Sequence, residues 1–238
     1  MTMHELPVDR RGLLAGGMLL AAGSAVAAPA MAQSGAPARR VYAPEPVPLP
    51  FDPKAMPGLS EKLLTSHHAN NYTSAVKRIA AINGQLAALD PATAPGFQLN
   101  GLKREELIAT NSMMLHELYF ANLGSSGAAS AGLAAMIERD FGSMARWQAE
   151  FSGTGKALGG GSGWAVLQYQ HRDKRLAIQW ANDHTMSLVG GTPLLVLDMF
   201  EHAYAMDYGS KAAAYVDAFM QIINWNAVSA RFAWATNE

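Results

Sequence analysis

Apolar positions recur at helical spacing from Leu59 to Leu89, where Leu63, Leu64, Ala75, Ile79 and Ile82 share a broad face with His67. Ser60-Glu61-Lys62 has the chemistry of a helix start. Asp90 to Gly101 holds Pro91, Pro95 and Gly96 and reads as a loop. A second amphipathic stretch covers Lys103 to Leu123, so the pair predicts an αα-hairpin. Beyond a Gly/Ser/Ala linker at Gly124–Gly132, shorter helices are expected over Ala134–Phe141 and Met144–Phe151. The periodicity then changes. Trp164–Tyr169 and Arg175–Trp180 flank the polar turn His171-Arg172-Asp173-Lys174 and predict a β-hairpin, and Leu194–Leu197 is a third strand-like run. Glu201–Met206 reads as helical, and Lys211–Phe232 as one long closing helix. Helices first and strands gathered later predict an α+β fold: a helical hairpin domain over 58–126, then a C-terminal α/β domain over 127–238. No repeat of solenoid period is present.

The N-terminus follows different rules. Arg10-Arg11 precedes a weakly apolar, Ala- and Gly-rich run from Leu13 to Ala28, which ends at Ala30-Met31-Ala32. A basic pair, a short apolar run and an A-x-A site describe an export signal peptide over 1–32. Asp9-Arg10-Arg11-Gly12-Leu13-Leu14 resembles a twin-arginine core, with Asp9 where Ser or Thr is usual. That route carries folded proteins, so a periplasmic or secreted protein loaded with metal before export is expected. Residues 33–57 are rich in Ala and Pro and predict an extended arm without a core of its own. No membrane span is expected in the mature chain.

Composition narrows the chemistry. The chain has 238 residues, of which 18 are basic and 19 acidic, for a formal net charge of −1. A chain so balanced has no bulk electrostatic reason to hold nucleic acid. With no cysteine, a disulfide scaffold, a zinc ribbon, an iron–sulfur cluster and a thiol nucleophile are excluded.

Six histidines remain after the signal, so each placement is informative. Asp198 and His202 stand four apart, on one helical face or astride a strand-to-helix turn, where both can point at one ion. His67 and His116 each lie midway along a predicted helix among apolar neighbours. Singly, either also fits a hydrogen-bonded core histidine. Together the four polar groups would be costly to bury unless something satisfied them, and one cation satisfies all. Three imidazoles and one carboxylate suit Mn, Fe or Zn and leave a coordination position open. Other chemistries lack their motifs. His116-Glu117 is followed by Phe120 where a zincin helix needs histidine, Gly159–Gly163 lacks the Lys-Ser/Thr of a phosphate loop, and there is no G-x-S-x-G elbow.

These residues resemble the iron/manganese superoxide dismutase family from about Leu49 to Phe232. The resemblance is carried by Pro50-Phe51-Asp52, Ser66-His67-His68, His116-Glu117-Leu118-Tyr119-Phe120, Ile137 to Ser143, Gly161-Ser162-Gly163-Trp164-Ala165, Thr192-Pro193-Leu194-Leu195, Asp198 to Tyr204 and Asn224-Trp225. It implies an N-terminal α-hairpin followed by an α/β domain with a three-stranded antiparallel sheet. It implies one Fe or Mn ion per subunit on His67, His116, Asp198 and His202, with solvent as fifth ligand, converting superoxide anion to dioxygen and hydrogen peroxide. Phe120, Trp164 and Phe200 would form the apolar wall. Glu201 would reach the partner subunit's His202 in a homodimer or homotetramer. Lys211 matches a position for a basic residue that attracts the anion.

The sequence departs from the family at the gateway. Ala75 holds the place of a tyrosine and Asn71 that of a histidine, and Ala205 replaces an interface tyrosine. Tyr72, one turn before Ala75, is a candidate to supply the missing hydroxyl. His184, or else Asp183, is the candidate partner of the metal's solvent. The alternative function is a non-catalytic metal-binding or structural descendant of the same fold.

Overall fold

The computed structural model describes residues 40–187 and 189–237. The export signal therefore lies outside the described residues, as does the arm before Arg40. Helix α1 (Glu61–Ser66) starts where Ser60 Oγ accepts the Leu63 N–H at 3.1 Å. It continues through a π-helical stretch, His67–Tyr72, into α2 (Thr73–Ala88). The apolar periodicity holds across all three pieces and buries Leu63, Leu64, Val76, Ile79 and Ile82. α3 (Gly96–Ala121) packs against α2 to complete the hairpin.

α3 starts seven residues before the expected Lys103. Pro95 ends the loop, and its carbonyl accepts the N–H groups of Gln98 and Leu99, so Gly96 and Gly101 are helical despite their composition. The added turns pack Leu99 and Leu102 against the core. Tertiary burial here outweighs weak helix propensity.

Next come α4 (Ala131–Phe141) and α5 (Met144–Ala157), each opened by a serine whose Oγ accepts an N–H three residues on. Strands β1 (Trp164–Gln170), β2 (Arg175–Ala181) and β3 (Gly191–Asp198) form an antiparallel sheet in the order β2-β1-β3. β1 is central and buried along its whole length. Its first residue, Trp164, pairs with Ala181 on one side and Asp198 on the other, so indole and carboxylate share one end of the sheet. The fold class is thus α+β, with a helical N-terminal region and a three-stranded antiparallel sheet. Gly163, just before β1, has φ +142°, and a Cβ there would collide with the Ala181 carbonyl oxygen. Its own carbonyl accepts the Met199 N–H at 2.9 Å, which pins the exit of β3 next to Asp198.

The closing segment corrects the expectation of one helix over 211–232. A four-residue helix, α6 (Ala205–Tyr208), is followed by α7 (Ala212–Gln221) and α8 (Trp225–Thr236), with a break between the last two. At the break Ile223 bridges to Leu123, and the Ile222 carbonyl accepts from Gly124 and Ser125. Asn224 then caps α8 by accepting the Ala227 N–H at 3.2 Å. Hydrogen bonds to the segment after α3 replace those a continuous helix would make. No helix among the described residues is long and apolar enough to cross a membrane.

Candidate metal centre

The helical hairpin and the sheet converge at one buried point. His67 begins the π-helical stretch and is buried there. His116 comes from the last turns of α3, Asp198 ends β3, and His202 sits in a 3-10 turn, Glu201–Ala203. Their donor atoms all lie within 4.8 Å of one another. Asp198 Oδ2 is the hub, with Nε2 of His67 at 3.1 Å, of His202 at 3.3 Å and of His116 at 3.5 Å. Asp198 is fully buried, and His67 and His116 are 1% exposed.

The hydrogen bonds around this point identify what it holds. His116 Nδ1–H donates to the Ser112 carbonyl at 2.6 Å, so Nε2 of the neutral ring presents a lone pair. That lone pair faces Asp198 Oδ2 and, at 3.4 Å, His202 Nε2. The lone pair of His116 and the Asp198 oxygen are two acceptors facing each other, and a cation between them would satisfy both. The other Asp198 oxygen is already used, accepting the Phe200 N–H at 2.8 Å. Burial pushes the Asp198 pKa up, but His202 and then His67 outweigh it, holding the carboxyl well below the usual range. Burial drives the His116 pKa down to about 3, so this ring stays neutral and ready to donate its lone pair. His67 lacks a comparable anchor. Its Nδ1 is buried without a hydrogen-bond partner among the described residues, and packing against Tyr119 and Phe120, at 5.2 and 5.0 Å, sets the ring.

Aromatic rings enclose the cluster. Phe120 covers His67, Trp164 meets His116 edge-on at 5.2 Å, and Phe200 stacks on His202 at 5.4 Å. Trp164 Nε1–H donates to His184 Nδ1 at 3.0 Å, which leaves the His184 proton on Nε2. His184 also stacks on Phe200 at 4.7 Å, and with His116 and His202 it lines a cavity of about 190 Å³ open to the surface.

Of the pair Asp183 and His184, only His184 lies at this site. Asp183 Oδ1 accepts the N–H and the hydroxyl of Thr185 at 2.7 and 2.6 Å, bonds that close a local turn. Tyr72 is not at the mouth either. Its hydroxyl donates to Glu117 at 2.8 Å and accepts the Val47 N–H at 2.9 Å, so it fastens the arm to the hairpin beside Phe120. Burial raises its pKa to about 12. Tyr72 is buried at the end of the π-helical stretch, while Asn71 and Ala75 line the cavity. Lys211 is exposed just before α7 and does not line the cavity. Arg78 does, and the sequence reading missed it, although 67, 71, 75 and 78 lie on one helical face. Tyr215 was missed too. Its hydroxyl donates to the Asp198 carbonyl at 2.8 Å and lies 3.1 Å from the Tyr119 hydroxyl, bracing the end of β3. Glu201 is exposed, beside Ser66 and Met206 in a surface depression that reaches His202.

Fold and site together define a mononuclear metal-binding protein with three imidazole ligands, one carboxylate and an open side. Residues 129–231 match the family model described as iron/manganese superoxide dismutases, C-terminal domain. The superoxide dismutase [Fe] of Cupriavidus metallidurans is 63% identical over 191 residues, covering 80% of this chain and 97% of that protein. The superoxide dismutase [Fe] of Methanothermobacter marburgensis is 34% identical over 201 residues, covering 82% and 97%. The superoxide dismutase [Mn] of Mycolicibacterium fortuitum is 34% identical over 187 residues, covering 76% and 88%. The chain belongs to the iron/manganese superoxide dismutase family.

Proposed function

We propose that this chain disproportionates superoxide to dioxygen and hydrogen peroxide at one iron ion held by His67, His116, Asp198 and His202. The observation that carries the reading is the Asp198 oxygen ringed by three imidazole nitrogens within 3.5 Å, beside an open cavity. Iron rather than manganese is supported by the 63% identity to a protein named for iron, although the relatives at 34% include both. When bound, the ion supplies a one-electron couple between +3 and +2, which zinc lacks.

The protein residues have separate tasks. Asp198 offsets the positive charge, and His116 is oriented by Ser112. Phe120, Trp164 and Phe200 keep bulk water out. His184 holds a proton on Nε2 at the wall of the cavity, in reach of a bound anion, and Trp164 fixes its ring. We further propose that residues 1–32 are removed on export to the periplasm or beyond. The mature protein would be a homodimer or homotetramer in which Glu201 accepts from the partner subunit's His202.

Protein loaded separately with iron and with manganese tests the reading. Rapid superoxide decay at full iron occupancy is expected, with much slower decay on manganese. Full occupancy without decay would establish the non-catalytic descendant, the reading that the lost gateway pair favours. Mass spectrometry of exported protein should give a chain starting at Gln33, and sedimentation should give two or four subunits.

A further inference from the structure

The two helical faces that supply His67 and His116 run on past them to an ion pair. On α1–α2 the positions are 67, 71, 75 and 78. On α3 they are 105, 109, 112 and 116. At one end the His67 and His116 rings lie 5.0 Å apart, and at the other Arg78 pairs with Glu105. The eleven steps from His67 to Arg78 span roughly 16 Å at helical rise.

The cavity of about 190 Å³ fills the groove between these ends. A water's share of liquid is about 30 Å³, so a two-atom anion occupies a small part of it. Asn71, Ser74 and Ala75 line one wall and His184 another, with no acidic side chain among the lining residues. Arg78 is the lining residue with a fixed charge. Its partner Glu105 also faces Arg104 at 3.5 Å, and Arg104 acts on the Asp183 carboxylate as well, so the two guanidinium groups and two carboxylates balance while Arg78 alone brings its charge to the cavity wall. The Arg78 side chain is 50% exposed and that of Glu105 34%. An ion pair this exposed is worth about 0–1 kcal/mol, so a competing anion can displace it.

We propose that Arg78 receives small anions at the mouth, exchanging between Glu105 and the incoming anion and gathering superoxide above His184. The inference rests on the dismutase reading for the identity of the substrate. It gives Arg78 the part that sequence resemblance had given to Lys211. The arginine does not meet the ligands; it acts on the incoming anion through its charge and its place on the cavity wall.

The test uses the iron-loaded protein, with iron content measured in every variant. Two readouts are taken: the dismutation rate against ionic strength, and the Kd for azide, a small unreactive monoanion, by calorimetry. Arg78→Gln is expected to lower the low-salt rate about threefold to tenfold, flatten its salt dependence and weaken azide by a similar factor. Arg78→Lys should keep most of both. Glu105→Gln, which frees the guanidinium, should raise both. Arg104→Gln removes the same charge from outside the cavity and should change either readout by less than about twofold. Unchanged rate and azide affinity in Arg78→Gln at full iron occupancy would overturn the proposal. An equal loss in Arg104→Gln would also overturn it, because the general field would then suffice. If the loaded wild type binds azide through Arg78 yet does not dismutate, the anion site stands and the dismutase reading falls.

Discussion

The floor and the mouth of the groove are built on the same two helices and obey different constraints. At the floor, three of the four polar side chains are buried and each is held by a neighbour, Ser112 for His116, Phe200 for Asp198 and a ring of aromatics for His67, while the part-exposed His202 faces the open cavity with Phe200 stacked on it. A change to any one leaves the others facing each other unsatisfied. At the mouth Asn71, in the π-helical stretch, and Ala75 stand where the resemblance implied a histidine and a tyrosine, and both line the open cavity. The floor is thus over-determined by desolvation, whereas the mouth can be rebuilt residue by residue.

The sharpest test of this contrast is Asp198→Ala. Removing the hub should reduce bound metal to a small fraction and cut dismutation by about 100-fold or more, read by elemental analysis beside the rate. Retained metal would show that the imidazoles alone hold the ion. Trp164→Phe probes the boundary between the regions, deleting the N–H that orients His184 while keeping a ring over His116. A lost hydrogen bond of about 1 kcal/mol predicts a rate lower by about fivefold with metal content maintained. If metal leaves as well, the indole belongs to the floor.

Acid separates the regions in the metal-free protein. The His116 pKa is lowered from 6.5 to about 3 when folded, chiefly by burial, so the unfolded chain binds more protons between those values. Stability should therefore fall as pH drops through that window and level off above 6.5, seen as a lower urea midpoint at about pH 4.5 than at about pH 7.5. A midpoint that does not move would mean that His116 is not buried neutral. The smallest functional effect is expected for Tyr72→Phe. It should cost about 1–2 kcal/mol by denaturant titration through lost bonds to Glu117 and Val47, and alter the rate by less than about twofold. A larger rate loss would return the phenol to the gateway.

The same division governs what could be read without coordinates. The four floor residues stood out because histidine and aspartate are rare in apolar surroundings, and the structure draws those four together. The strand order of the sheet, in contrast, is not encoded by the local alternation of any one strand. The π-helical stretch was invisible because His67 to Tyr72 is short and mostly polar, and the apolar positions on either side of it fit one continuous helix. The break at Ile222–Asn224 escaped because its cause, the pairing of Ile223 with Leu123, is a hundred residues away in the chain. Arg78 was passed over because one more arginine on a helix reads as an ordinary solvated charge until its cavity is seen.

The donors of the centre come from distant parts of the chain, with His67 and Asp198 131 residues apart. A ribosome that has made only the hairpin has made half a binding site. The ion can lodge only after β3 is complete, so its uptake reports that nearly the whole polypeptide has been synthesised and closed. Once lodged, it fastens the first lobe to the last, and a truncated product should be left both empty and unclasped.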